Sequence, residues 1–355
     1  MVSKEEIIAK FDPNGPSVPG NLFGLPFGME HSELIIIPVP WEVTVSYKAG
    51  TADAPKAILE ASTQVDLFLR DIPDAWKMGM HLLPVAEGFE EENRKFRDLA
   101  IKYIQWLESN EEEWITDNLK VIPNAINEIC EKLNIFIKSQ ASAYLNSGKM
   151  VALLGGDHST PLGYINALTE KFGSFAILQF DAHADLRASY EDFNYSHASI
   201  MYNVLKNPNI SRLVQVGIRD LCEEESAFIN NSNGRVLTYF DEDIKRAVFE
   251  GVTWSTICKE IISQLPELVY ISFDIDGLDP KLCPNTGTPV PGGLEYNQVI
   301  YLIKEIVRSG RAIIGFDLNE VSPGEDEWDA NVGARLLYQL GSLMGASMGR
   351  LHLID

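Results

Sequence analysis

Phe175-Ala-Ile-Leu-Gln-Phe180 runs directly into Asp181-Ala-His-Ala-Asp185. The first six residues have the length and apolar character of a buried strand. The next five carry three metal-capable side chains at alternate positions. On an extended backbone, side chains at i, i+2 and i+4 point to one side. The pattern therefore predicts that Asp181, His183 and Asp185 share one side of a strand end and form half of a two-metal site.

The same arrangement recurs along the chain. Strand Leu34–Val39 precedes the loop Trp41–Gly50, and a helix opens at Ala54-Pro55 with proline in its first turn. Strand Val151–Leu154 meets Gly155-Gly-Asp-His158-Ser159, and a helix follows near Pro161. Strand Leu213–Val216 meets Gly217-Ile-Arg-Asp220. Strand Leu268–Phe273 meets Asp274-Ile-Asp276-Gly-Leu-Asp-Pro280, and strand Ala312–Phe316 meets Asp317-Leu-Asn-Glu320. Helices fit between them, at 257–265 and 298–309. Strands alternating with helices imply a parallel sheet covered on both faces, an α/β fold. In such a sheet all strand C-termini lie on one edge, where ligands bind. His158, Asp181, His183, Asp185, Asp274, Asp276 and Glu320 are expected to converge there, although 162 residues separate the first from the last.

The remaining sequence frames this core. Residues 1–33 include a Gly- and Pro-rich run and read as an extended arm lying across the body or against a neighbouring subunit. Residues 34–355 read as one α/β domain, with a charged helical section at 87–146. Within that section Phe96, Leu99, Tyr103 and Leu107 mark one apolar helix face, and Ile122, Ile126, Ile129, Leu133 and Phe136 a second. Glu111-Glu-Glu113 reads as a solvated turn between them. The chain has 355 residues and a net charge of −22. Nucleic acid is not expected as a partner, since phosphate binding needs a basic face. The acidity suits solubility or a cationic substrate. No apolar run is long enough to span a membrane, and no apolar leader is visible at the start. Four cysteines without a C-x-x-C pair suggest reduced thiols and a cytoplasmic location.

Carboxylates and imidazoles packed this densely are costly to bury unless cations neutralise them. Oxygen-rich, thiolate-free ligation suits Mn²⁺ better than a structural Zn²⁺. Asp157 and Asp279 read as capping groups rather than ligands.

GGDHS at 155–159, DAHAD at 181–185 and SFDIDGLDP at 272–280 resemble the three metal-binding motifs of the ureohydrolase (arginase/agmatinase) family. The resemblance covers roughly residues 34–350. It implies a three-layer α/β/α fold with a central parallel sheet of about eight strands. It also implies two Mn²⁺ per chain, hydrolysis of a guanidino or formimino carbon, and trimers or hexamers. By the same resemblance His158, Asp181, Asp185 and Asp274 hold one ion, and Asp181, His183, Asp274 and Asp276 the other. Asp181 and Asp274 bridge, and Asp276 also stabilises the tetrahedral intermediate. His197, in Tyr195-Ser-His-Ala198, matches the residue that shuttles a proton to the leaving amine. Glu320 matches the glutamate that pairs with the guanidinium.

The substrate is less directly written. Leu221 and Cys222 follow Asp220, where an arginase-type contact to an α-amino group would need a polar residue. The run from Asp185 to Ser199 looks more like agmatinases, which favours agmatine, converted to putrescine and urea. Arg187 has two open readings: attraction of a carboxylate, as in guanidinobutyrate, or bracing of the metal loop. Trp328, eight residues beyond Glu320, is expected to border the pocket and stack on a cation. A pocket shortened by Trp328 would suit free guanidine, and for such guanidine hydrolases the resemblance implies Ni²⁺ as the alternative metal. Arginase and formiminoglutamase activities stay open within the family. Outside it stand a zinc deacetylase-like amide hydrolase and a non-catalytic homologue.

Overall fold

The computed structural model describes residues 2–109 and 117–354, so the expected turn at Glu111–Glu113 lies outside the described residues. Eight strands form one all-parallel sheet: β1 (Leu34–Val39), β2 (Met80–Leu82), β3 (Met150–Gly155), β4 (Phe175–Phe180), β5 (Ile210–Ile218), β6 (Val236–Phe240), β7 (Leu268–Asp274) and β8 (Ala312–Asn319). Their order is β2-β1-β3-β8-β7-β4-β5-β6. The helices are α1 (Lys4–Lys10), α2 (Ala54–Ser62), α3 (Phe89–Ser109), α4 (Asp117–Lys120), α5 (Ile122–Asn146), α6 (Leu162–Phe172), α7 (Ile200–Leu205), α8 (Glu223–Asn230), α9 (Asp241–Phe249), α10 (Trp254–Ser263), α11 (Tyr296–Arg308) and α12 (Trp328–Ser347).

Burial of both sheet faces explains the strand sequences. Ala176, Leu178 and Phe180 of β4 pack into one apolar cluster, together with α2, α10, α11 and α12. Phe175 and Ile177 pack into the other, with α3, α5, α6 and α7. A strand covered on both sides reads as a continuous apolar run. The edge strands lack that signal and are absent from the sequence reading: β2 has three residues, and in β6 Val236 alone is fully buried.

Two local expectations change. Residues 1–33 carry a helix, α1, whose Ser3 cap exchanges hydrogen bonds with Glu6. Leu22, Phe23, Leu25 and Phe27 are buried in the core cluster with α2 and α12. Regular structure in β4 also stops at Phe180. Asp181, His183 and Asp185 therefore do not sit on a strand face, and Asp185 adopts a left-handed backbone with φ 55°. Asp276 lies likewise on a short 3-10 turn, Ile275–Gly277, capped by the Asp274 side chain. Turn geometry, rather than strand alternation, collects these side chains. Among the described residues no helix is long and apolar enough to cross a membrane.

From β1 the chain steps outward to β2 and returns to β3, then crosses to β4 and steps outward in the opposite direction through β5 to β6, before β7 and β8 fill the gap between β4 and β3. This reversal leaves a crevice at the strand C-termini, the usual ligand position in open α/β sheets.

Candidate active site

The loops after β3, β4, β7 and β8, four neighbouring strands, meet at this crevice. Asp181 is central. Its Oδ2 lies 3.0 Å from His158 Nδ1, and its Oδ1 lies 3.6 Å from His183 Nδ1. His158 Nδ1 also faces Asp185 Oδ2 at 3.1 Å and Asp274 Oδ2 at 3.3 Å. His183 Nδ1 faces Asp276 Oδ2 at 3.0 Å. Two metal-capable triads result, His158–Asp181–Asp185 and Asp181–His183–Asp276, and they share Asp181. Asp274 stands beside the first.

The polar groups behind the cluster test whether a cation fits it. Ser272 Oγ donates to Asp317 Oδ1 (3.1 Å), so it accepts from His158 Nε2–H (2.9 Å). That bond leaves Nδ1 of a neutral His158 as a bare lone pair. Nδ1 is fully buried, has no hydrogen-bond partner among the described residues, and faces three carboxylate oxygens. A lone pair aimed at three acceptors is stable only around a cation or a proton. Burial lowers the imidazole pKa, but Asp181, Asp185 and Asp274 together raise it well above its ordinary value. Burial and the Asp181 charge push the Asp185 carboxyl up to about 7. Burial, Asp276 and Asp181 raise that of Asp274. The donor set thus resists full ionisation by itself and fits divalent cations.

A second relay reaches Asp181 from the sheet. Thr238 Oγ1 donates to Gln215 Oε1 (2.8 Å), and Gln215 Nε2 donates to Gln179 Oε1 (2.7 Å). Gln179 Nε2 then donates to Asp181 Oδ2 (2.8 Å). Gln215 Nε2 also holds Ala184 O at 2.8 Å. Each amide has one orientation that satisfies this chain, and every donor points toward the metal loop. Arg219 braces the facing turn through Asp276 O, at 2.6 Å from Nη2. The sequence reading missed Gln179, Gln215, Ser272 and Arg219. A polar residue inside an otherwise apolar strand was the available signal for the first three.

Glu320 is 5% exposed, and its Oε1 accepts from His158 N–H at 2.9 Å. Its backbone is left-handed, φ 61°, held by bonds from Glu320 N to Gly156 O (2.9 Å) and from Thr286 Oγ1 to Glu320 O (2.8 Å). Such strain persists where neighbours over-determine it, commonly at functional sites. Gly156 must itself be glycine for the loop after β1 to pack here, because a Cβ there would lie 2.0 Å from Trp41 O. Burial and Asp157 raise the Glu320 pKa well above its usual range. Asp157 caps its own turn, accepting from Ser159 N–H at 2.9 Å, and Asp279 accepts from Lys281 N–H at 3.0 Å.

A cleft of about 170 Å³ opens over the cluster, lined by His183, Asp185, Arg187, Tyr190, His197 and Leu221 among others. His197 is half-buried there, and burial together with His183 and His158 pushes its pKa down to about 4. The Arg187 guanidinium lies 4.9 Å from the Tyr190 ring centroid, and its Nε is 3.7 Å from Glu225 Oε2. Trp328 is not on this lining. It is 46% exposed at the start of α12 and donates Nε1–H to Lys281 O at 2.9 Å.

Comparison with known proteins agrees with this geometry. The model of the arginase family matches residues 32–342. An N(1)-aminopropylagmatine ureohydrolase of Thermus thermophilus is 32% identical over 323 residues, 91% of this chain and 94% of that protein. An agmatinase of Neisseria meningitidis serogroup A is 30% identical over 321 residues, 89% and 88% of the two chains. The crystal structure of the agmatine ureohydrolase of Thermoplasma volcanium superposes with a TM-score of 0.70 at 23% identity, covering 98% of this chain and all of that one. With the fold, the shared-aspartate cluster and a match over nearly the whole sheet in agreement, the chain belongs to the arginase (ureohydrolase) family.

Proposed function

We propose that this protein is a two-metal hydrolase that cleaves the guanidino C–N bond of agmatine, giving putrescine and urea. The observation that carries the reading is Asp181, shared between two metal-capable triads whose members His183 and Asp185 line the cleft. His158, Asp181, Asp185 and Asp274 would hold one ion, and Asp181, His183, Asp274 and Asp276 the other, with Mn²⁺ favoured and Ni²⁺ the alternative. Divalent cations bound there supply Lewis acidity and lower the pKa of water enough for a nucleophile at neutral pH.

The side chains of the chain do the rest. Glu320 offers its carboxylate to the planar guanidinium, for which a fork of parallel N–H donors is a natural partner. Water adds to the guanidino carbon, and the bond to the alkyl-bearing nitrogen breaks. His197, neutral at ordinary pH, accepts the proton released from water and delivers it to that nitrogen. Asp276 helps stabilise the tetrahedral intermediate, its carboxylate offsetting the positive charge that builds on the leaving nitrogen as that nitrogen is protonated. Urea and the protonated amine leave.

The cleft supports a substrate without an amino-acid head group. The cation on its lining, Arg187, is engaged by Glu225 and Tyr190, and Leu221 is apolar where an α-amino group would need a polar partner. Trp328, away from the lining, offers no support for a pocket shortened to free guanidine. N(1)-aminopropylagmatine is the second reading, favoured by the 32% identity to ureohydrolases named for that compound. Urea release is to be measured on chain loaded with Mn²⁺ and, separately, with Ni²⁺. The compounds are agmatine, N(1)-aminopropylagmatine, 4-guanidinobutyrate, arginine and guanidine. Highest kcat/KM on agmatine is expected. Preference for the aminopropyl compound selects the second reading, and no urea from any compound sinks both.

A further inference from the structure

The loop that brings His197 to the cleft is a hairpin. Arg187 N–H donates to Ala198 O (3.1 Å) at its base. At its tip Phe193 N–H donates to Tyr190 O (2.8 Å) and Tyr190 N–H to Phe193 O (3.2 Å). Between them stand Glu191 (φ 50°) and Asp192 (φ 62°), both left-handed. Two positive φ values in a two-residue connection mark a type I′ turn, where Asn-Gly is the favoured pair. Glutamate is an unfavourable choice at the first of these positions, aspartate at the second is tolerated but less at ease than glycine, and consecutive left-handed residues persist only when their surroundings over-determine them.

The surroundings are the helices of the 87–146 section. Tyr103 of α3 is buried and donates its hydroxyl to Asp192 Oδ2 at 2.5 Å. Asn127 of α5 donates Nδ2–H to Asp192 O (3.3 Å), and its Oδ1 accepts from Asn194 N–H (2.7 Å). The buried Phe193 ring lies 5.8 Å from that of Tyr103. These contacts place Tyr190 across the hairpin from His197, with ring centroids 6.4 Å apart at 79°.

We propose that α3 and α5 form a latch on this turn, with Tyr103, Asn127 and Asp192 as positioning residues that set His197 in the cleft. Aspartate rather than glycine at 192 is thereby explained, since its carboxylate is the hook that a glycine would lack. The inference rests on the reading of His197 as the proton-carrying residue.

The test uses the full chain, metal-loaded, with whichever guanidino compound the wild type hydrolyses best. The variants are Tyr103→Phe, Asp192→Gly and the two combined. Misplacing a reacting group by about an ångström costs up to about 100-fold in rate. Each single variant should therefore lower kcat by roughly 10- to 100-fold, with KM and bound metal unchanged. The double variant should fall no further than the worse single one, because both remove the same bond. Asp192→Gly separates latch from scaffold. Glycine adopts positive φ freely, so a turn with a merely structural role keeps full activity in that variant. Wild-type kcat in Asp192→Gly or Tyr103→Phe overturns the latch, as does a loss of kcat that tracks a loss of metal. An inactive wild type overturns the functional reading itself, before any variant is compared.

Discussion

Ser272→Ala probes the cation-binding logic most directly. The Ser272 hydroxyl accepts from His158 Nε2–H and donates to Asp317 Oδ1, and all three side chains are buried from water. Asp317 keeps donors from Tyr270 OH, Phe273 N and Asn319 Nδ2 after the substitution. His158 Nε2 does not, since its next acceptor, Asp317 Oδ1, lies 3.7 Å away. One buried donor is orphaned, a loss of about 1–3 kcal/mol in stability. The imidazole also loses the bond that makes Nδ1 the lone pair facing Asp181, Asp185 and Asp274. Removing such an outer partner typically weakens metal affinity about 10- to 100-fold, with each tenfold step worth about 1.4 kcal/mol. Calorimetric titration of chelator-stripped protein with Mn²⁺ measures this, and thermal melting of the same samples measures the stability loss. The weakening should fall on the ion held by His158. Wild-type affinity for both ions in Ser272→Ala would refute the reasoning that Ser272 sets the tautomer.

Three further outcomes follow from the same geometry. Metal-free protein should become less stable as pH rises: burial holds Asp157 at about 6 and Asp185 at about 7, which together outweigh His197, whose lowering to about 4 acts in the opposite sense, so the folded chain binds protons more tightly than the unfolded one. That contribution is complete below the ordinary carboxylate range and is lost as pH climbs through about 6–7; added Mn²⁺ should raise the melting temperature most on the alkaline side, and a metal-free melting temperature that increases from acid to neutral pH contradicts the argument. Asp181→Asn should weaken both ions, because both triads share Asp181; elemental analysis showing full occupancy of both positions counts against sharing. Arg187→Ala should alter KM for agmatine by no more than about fivefold, since a partly exposed ion pair contributes about 1 kcal/mol or less, whereas a large KM increase confined to 4-guanidinobutyrate would mark Arg187 as a carboxylate contact.

Much of the centre was legible because parallel central strands are buried on both faces. That burial forces apolar runs, and the polar clusters after Leu154, Phe180, Phe273 and Phe316 stand out against them. The edge strands β2 and β6 face fewer constraints and left no comparable run. Asp181, His183 and Asp185 come together as strand alternation predicts but by a different geometry, because a left-handed residue at Asp185 and a capped turn at Asp274–Asp276 redirect the side chains. Trp328 shows the opposite limit. Eight residues along the chain from Glu320 placed it near the pocket in sequence, but α12 begins there and carries its ring to Lys281 O.

Sequence by itself determined the fold class and the strand ends that carry the clustered carboxylates and imidazoles, because local residue type dictates strand burial and leaves polar residues where strands end. Only the tertiary structure decided which nitrogen of His158 faces the three carboxylates, which oxygen of Asp181 serves which triad, and what holds the turn before His197. Those depend on hydrogen bonds among residues far apart in the chain, such as Ser272 with Asp317 and Tyr103 with Asp192. A hydrogen bond is directional and fixes an orientation only when both partners are in place, and folding alone brings them together.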